Sequence, residues 1–256
     1  KADEGYKLDK VTVTDKDGKE ITLIKQGNST FTFVMPKGGA DVDAKFVEKN
    51  AKATEEPKTD DETKDDNNGD ETNANPFADV KENDWFYGSV MKAYEEGWMS
   101  GTAKNSFAPN TDTTRGMIVT VLYRLENAPE AGVSKFEDVK ADAYYDKAVA
   151  WAAENGVVSG YSVTKFGPDD KITREQLAAI LYRYAVLKGY DVSKSADLTA
   201  YKDYADVSGY AAEAMAWANA MGIVSGTSET TLSPKANATR AQVAAMLDRF
   251  VKAYEK

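Results

Sequence analysis

Alternating apolar and polar side chains mark the first part of the chain, and a helical period marks most of the rest. Residues 5–47 alternate in the manner of β-strands, at YKLDKVTV (6–13), EITLI (20–24), TFTFVM (30–35) and DVDAKF (41–46). Turn formers separate these runs: Asp15 to Gly18, Gly27-Asn28, and Pro36 with Gly38-Gly39. Further on the period lengthens to that of a helix, so that Tyr145, Ala148, Val149, Ala152, Ala153 and Gly156 share one face. Related helical runs occupy 89–101, 148–160 and 214–226, and each closes in Gly-x-x-x-Gly. The first glycine of each, Gly97, Gly156 or Gly222, is expected to end its helix in the left-handed conformation. A second helix follows in each case, with apolar positions Ile118/Val121/Leu122/Leu125, Leu177/Ile180/Leu181/Tyr184 and Val243/Met246/Leu247/Phe250.

The recurrence is an internal repeat, and it decides the architecture. The units start at FADV (77–80), FEDV (136–139) and YADV (204–207), and each runs through aromatic cluster, helix, turn segment and closing helix. Three helix pairs with equivalent apolar faces predict mutual burial around a pseudo-threefold axis. The expected organisation is a β segment at 1–47, an acidic linker at 48–75, and repeats at 76–130, 131–198 and 199–256.

The linker reading rests on charge and composition. Residues 48–75 lack aromatic and branched apolar side chains and carry 10 acidic residues against 4 lysines, a composition that stays solvated and extended. The rival reading, a calcium loop at DDNNGD, fails on spacing. Counted from Asp65, glycine falls at position five and Pro76 at position twelve.

Over the whole chain the net charge is −10, which argues against binding to nucleic acid. No apolar run reaches the roughly 18 residues of a membrane span, so membrane insertion is not expected. Without cysteine or histidine there is no thiolate, no Cys/His zinc site and no Ser-His catalysis. Carboxylates, arginine, lysine and aromatics are what remain.

The closing helices hold the sharpest anomaly. Thr114, Thr173 and Thr239 are natural N-caps, and Gln176 and Gln242 complete capping boxes in the second and third units. Each threonine is followed by arginine, Arg115, Arg174 or Arg240, at the positive end of the helix dipole. A cation there is unfavourable by roughly 0.3–1 kcal/mol. Either an internal carboxylate pairs with it, or the guanidinium and the helix-end N–H groups converge on a bound anion. Trp151 and Trp217 occupy equivalent helix positions, with Lys92 in the first unit, and serve either as core or as platforms for a sugar ring.

The ordered set resembles the S-layer homology domain, a tandem triplet of bacterial surface proteins. Its marks are Phe-x-Asp-Val, a Trp-containing helix ending in Gly-x-x-x-Gly, Phe-x-Pro with a following Thr-Arg, and an apolar closing helix, covering about 77–254. The family's Thr-Arg-Ala-Glu appears as Thr-Arg-Gly-Met, Thr-Arg-Glu-Gln and Thr-Arg-Ala-Gln. Residues 5–47 resemble the end of an internalin-B-like β-repeat, which implies a piece of a longer protein. The triplet resemblance implies a mainly α, three-pronged pseudo-trimer, monomeric and without a cofactor. It also implies an extracellular, non-catalytic wall anchor whose inter-repeat grooves bind secondary polysaccharide bearing pyruvylated N-acetylmannosamine. Carried onto this chain, the ligand residues are Arg115, Arg174 and Arg240, then Asp79, Asp138 and Asp206, then Trp151, Trp217 and Lys92. A groove built on Lys92 and Arg115 is expected to be degenerate. The alternative is an S-layer or adhesin segment that self-assembles or binds protein; a glycan hydrolase lacks an identifiable acid pair.

Overall fold

The computed structural model describes residues 6–16, 18–19, 21, 24–25, 31–32, 39–48 and 75–254. The chain divides into two units, 1–74 and 75–256. In the first, β1 (Tyr6–Asp15) pairs antiparallel with β4 (Ala40–Glu48), and β2 (Ile24–Lys25) pairs with β3 (Phe31–Thr32). The turn expected at Asp15–Gly18 forms: Gly18 takes φ +75° and donates its N–H to the Asp15 carbonyl. The proposed tether falls almost entirely at 49–74, outside the described residues.

The second unit is helical, with α1 (Tyr87–Glu95), α2 (Arg115–Leu125), α3 (Asp146–Glu154), α4 (Arg174–Leu187), α5 (Ala212–Ala220) and α6 (Arg240–Tyr254). Gly97, Gly156 and Gly222 adopt φ of +74°, +69° and +70°, so each first helix stops where the sequence requires. The glycine four residues on meets a different constraint. A Cβ on Gly226 would lie 2.7 Å from the Thr231 carbonyl oxygen and 3.0 Å from the Tyr201 ring.

Helix pairing runs between repeats. The second helix of one repeat packs on the first helix of the next, α2 on α3 and α4 on α5, and α6 closes the circle on α1. Ile118, Leu122, Leu177, Leu181, Val243 and Leu247 are fully buried in one continuous core. The axis is marked by a ring of backbone hydrogen bonds between equivalent residues. Thr113 N–H donates to the Ala238 carbonyl (2.9 Å), Ala238 N–H to Ile172 (2.8 Å), and Ile172 N–H to Thr113 (2.9 Å). A buried backbone group needs a partner, and here each repeat's partner belongs to another repeat.

Candidate functional site

The start of each closing helix is a joint between repeats. Thr114, Thr173 and Thr239 cap as expected, and reciprocal Thr–Gln bonds complete the boxes at Thr173 and Thr239. The N–H groups of the two residues after each threonine are already taken. Arg115 and Gly116 donate to the carbonyls of Asp170 and Pro168, Arg174 and Glu175 to Ala236 and Pro234, and Arg240 and Ala241 to Thr111 and Pro109. The helix ends therefore hold neighbouring turns, and their first N–H groups are not open to a ligand.

The arginine side chains extend the same joint. Arg115 Nε donates to the Phe166 carbonyl at 3.0 Å and Nη2 to Ser159 at 3.0 Å. Arg174 reaches Leu232 (3.0 Å) and Ser225 (2.7 Å), and Arg240 reaches Phe107 (2.7 Å) and Ser100 (2.6 Å). Each guanidinium thus enters the turn of the following repeat, with repeat three returning to repeat one. All three arginines are about 5–6% exposed, and desolvation lowers the pKa of each. Among the described residues none has a carboxylate at ion-pair distance, and none of their Nη1 atoms has a hydrogen-bond partner. Carbonyl dipoles answer much of the positive charge; the internal salt bridge considered from sequence does not form.

The aspartates serve these turns. Asp79 accepts from the N–H groups of Phe107 (2.8 Å) and Ala108 (2.9 Å), and Asp138 from those of Phe166 (2.8 Å) and Gly167 (2.7 Å). In the third repeat that place belongs to Asp203, which accepts from Leu232 (2.8 Å) and Ser233 (2.7 Å). Asp206 lies exposed in a short 3₁₀ turn, Tyr204–Asp206. The equivalence drawn from YADV is therefore corrected to Tyr201-Lys202-Asp203, three residues earlier. Each clamp holds a backbone bend in the left-handed region, at Ala108 (φ +56°), Gly167 (+72°) and Ser233 (+52°). Burial raises the carboxyl pKa of Asp79, Asp138 and Asp203, but the N–H donors outweigh it and hold all three low.

Trp151 and Trp217 lie inside the bundle, 6% and 1% exposed, against Tyr123 and Tyr184 and against Tyr182 and Phe250. Both rings are buried among aromatic side chains of the bundle, the environment that the core reading of the sequence describes. Lys92 sits on α1 beside Asp248 of α6 (4.0 Å) and over Trp98 (5.7 Å). The Arg115 side chain, by contrast, enters the second repeat.

The sequence pattern gave no site role to two other sets. One precedes each first helix: Trp85, Tyr144 and Tyr210 are 65%, 60% and 55% exposed. The other is the arginine near the end of each closing helix. Arg249 Nη1 donates to Ser225 Oγ (3.2 Å), beside the Ser225 carbonyl that Arg174 holds, and Arg124 reaches Trp98 (3.4 Å), two residues before the Ser100 held by Arg240. Arg183 is close enough to Arg115 for its charge to be felt there. The clefts between repeats thus carry the pairs Arg240/Arg124, Arg115/Arg183 and Arg174/Arg249. Tyr144 lies near Arg124, Tyr210 near Arg115 and Arg183, and Trp85 holds the equivalent place. The signal was visible as Arg in LYRL, LYRY and LDRF, but helical spacing alone assigns it to a solvated face.

A profile for the S-layer homology domain matches residues 76–116, 135–178 and 200–244, half of the chain and each of its repeats. The chain belongs to the S-layer homology domain family. The third match begins at 200, in agreement with Tyr201 and Asp203 as the start of that repeat. Similar proteins include an endoglucanase of Bacillus sp. (strain KSM-635), 31% identical over 72% of this chain and 19% of that protein. A surface-layer 125 kDa protein of Lysinibacillus sphaericus is 30% identical over 64% of this chain and 14% of its own length. A cellulosome-anchoring protein of Acetivibrio thermocellus is 24% identical over 59% of this chain and 35% of its own. The chain thus spans about a third or less of these relatives. S-layer homology domains are cell-surface anchoring modules, and this triplet is a cell-surface segment. No described helix is long and apolar enough to cross a membrane.

Proposed function

We propose that the triplet is a non-catalytic, monomeric wall anchor that retains its parent protein noncovalently by binding secondary wall polysaccharide through an acidic ketal. The ligand class is a pyruvylated N-acetylmannosamine, held in clefts between repeats. The observation that carries this reading is the electrostatic state of the clefts. Arg115, Arg174 and Arg240 are desolvated and lack a carboxylate at ion-pair distance among the described residues; Arg183 and Arg249 act on the first two, and Arg124 reaches the same turn as Arg240. A desolvated cation favours an anionic partner, and a guanidinium edge suits a carboxylate. Trp85, Tyr144 and Tyr210 supply exposed aromatic faces for the sugar ring.

The test is co-sedimentation of the full 256-residue chain with purified walls and with walls stripped of secondary polymer. Stripping, or excess pyruvylated disaccharide, should abolish sedimentation. Equal binding to both walls would refute the proposal. Sedimentation without any wall would indicate self-assembly instead.

A further inference from the structure

We infer that the cleft between the second and third repeats does not accept the acidic ketal, and that Glu175 is the residue that excludes it. This rests on the proposed function and adds which clefts work. The three clefts share a plan, so the differences among them are informative. At the second position of the closing helix the repeats carry Gly116, Glu175 and Ala241. Glu175 is 3% exposed, and its carboxylate accepts from Ser208 N–H (2.9 Å), Ser208 Oγ (2.9 Å), Tyr210 OH (3.2 Å) and Lys235 Nζ (2.7 Å).

Those contacts alter what the cleft can offer a ligand. A phenol has one proton to donate. Tyr210 gives its proton to Glu175, so toward the cleft its oxygen presents lone pairs, the wrong complement for a carboxylate. Lys235, which could have met an anion, is likewise turned to Glu175. A ligand carboxylate arriving beside Arg115 and Arg183 would share a partly desolvated space with a carboxylate already there, and two such groups do not ionise freely together. Burial and Glu175 lift the Tyr210 hydroxyl to about 12, although Arg115 and Arg183 act in the opposite direction.

A second feature sets the surroundings of Arg115 apart. The Tyr161 ring stands 4.6 Å from the Arg115 guanidinium, with Phe166 at 4.5 Å. The residues equivalent to Tyr161 are Thr102 and Thr227. Gly116 and Ala241 bring no side-chain charge to Tyr144 or Trp85, and although Asp169 acts on Tyr144 from nearby, no hydrogen bond joins that phenol to a carboxylate among the described residues as one joins Tyr210 to Glu175.

Titration calorimetry of the full chain with the methyl glycoside of 4,6-pyruvylated N-acetylmannosamine reads this directly. The wild type should bind at most two equivalents. Glu175→Gln, which keeps hydrogen-bonding capacity, should gain one more, and Glu175→Gln/Arg183→Ala should lose that gain. Glu175→Ala, which copies Ala241, provides a second route if the glutamine variant melts early. Three equivalents in the wild type, or no gain in either variant with its melting transition intact, would overturn the inference while leaving the anchor reading in place. Absence of binding in every protein would overturn both.

Discussion

Replacing Arg174 with alanine measures whether the Thr-Arg pair that recurs in each repeat is first a joint or first a ligand. The guanidinium donates from the second repeat to the Leu232 and Ser225 carbonyls of the third, at 3.0 and 2.7 Å, and is about 5% exposed. Hydrogen bonds from a charged donor contribute roughly 1.5–3 kcal/mol each, and buried acceptors left without partners keep their desolvation penalty. Against this, alanine relieves the burial of a cation with no nearby counter-ion. The balance is a loss of about 2–4 kcal/mol. At about 2–4 °C per kcal/mol for a domain of this size, the melting temperature should fall by about 5–15 °C. Differential scanning calorimetry of wild type, Arg174→Ala and Arg174→Lys provides the comparison. Lysine keeps the charge but cannot span both carbonyls, so it should recover less than half of the loss. A melting shift under about 3 °C for Arg174→Ala, accompanied by lost wall binding, would refute the joint and make the arginine a ligand residue alone.

Exposed cleft residues should behave in the opposite way: Trp85→Ala or Arg124→Ala should weaken wall binding while leaving the melting transition within about 2 °C, because Trp85 is 65% exposed and Arg124 also lies at the surface. Asp203→Ala removes two acceptors from a left-handed bend and should cost about 1–2 kcal/mol, comparable to losing a helix cap, whereas Asp206→Ala should be near neutral by urea denaturation. Gly226→Ala should lower stability by at least about 1 kcal/mol, since its Cβ would collide with backbone oxygens and the Tyr201 ring. Acid should loosen the turns. Asp79, Asp138 and Asp203 have folded pKa values below the ordinary 3.8, so their stabilisation is fully present above the unfolded value and is lost as pH falls through the folded values. Melting temperature should therefore drop progressively below about pH 4, and a flat profile from pH 5 to pH 2 would contradict the clamp.

The helices, their glycine stops and their threonine caps were legible because each depends on neighbours within a few residues. Gly156 and Thr173 are cases in point: a left-handed stop and a capping box follow from local sequence. The third repeat shows where that legibility fails. YADV matches the pattern better than Tyr201-Lys202-Asp203, yet Asp203 holds the turn, because what selects the aspartate is two N–H groups some thirty residues away. The tryptophans show it again. Trp151 and Trp217 share a helix position with Lys92, but whether that face looks into the bundle or into a cleft depends on which helix lies across from it.

The arginine that begins each closing helix marks the same division. Sequence alone determined that Arg174 stands at a positive helix end and needs negative charge nearby, since propensity and dipole are properties of one segment. Only the tertiary structure decided what supplies it: the Leu232 and Ser225 carbonyls of the next repeat, which lie more than fifty residues away along the chain and meet the guanidinium because the three repeats close into a ring.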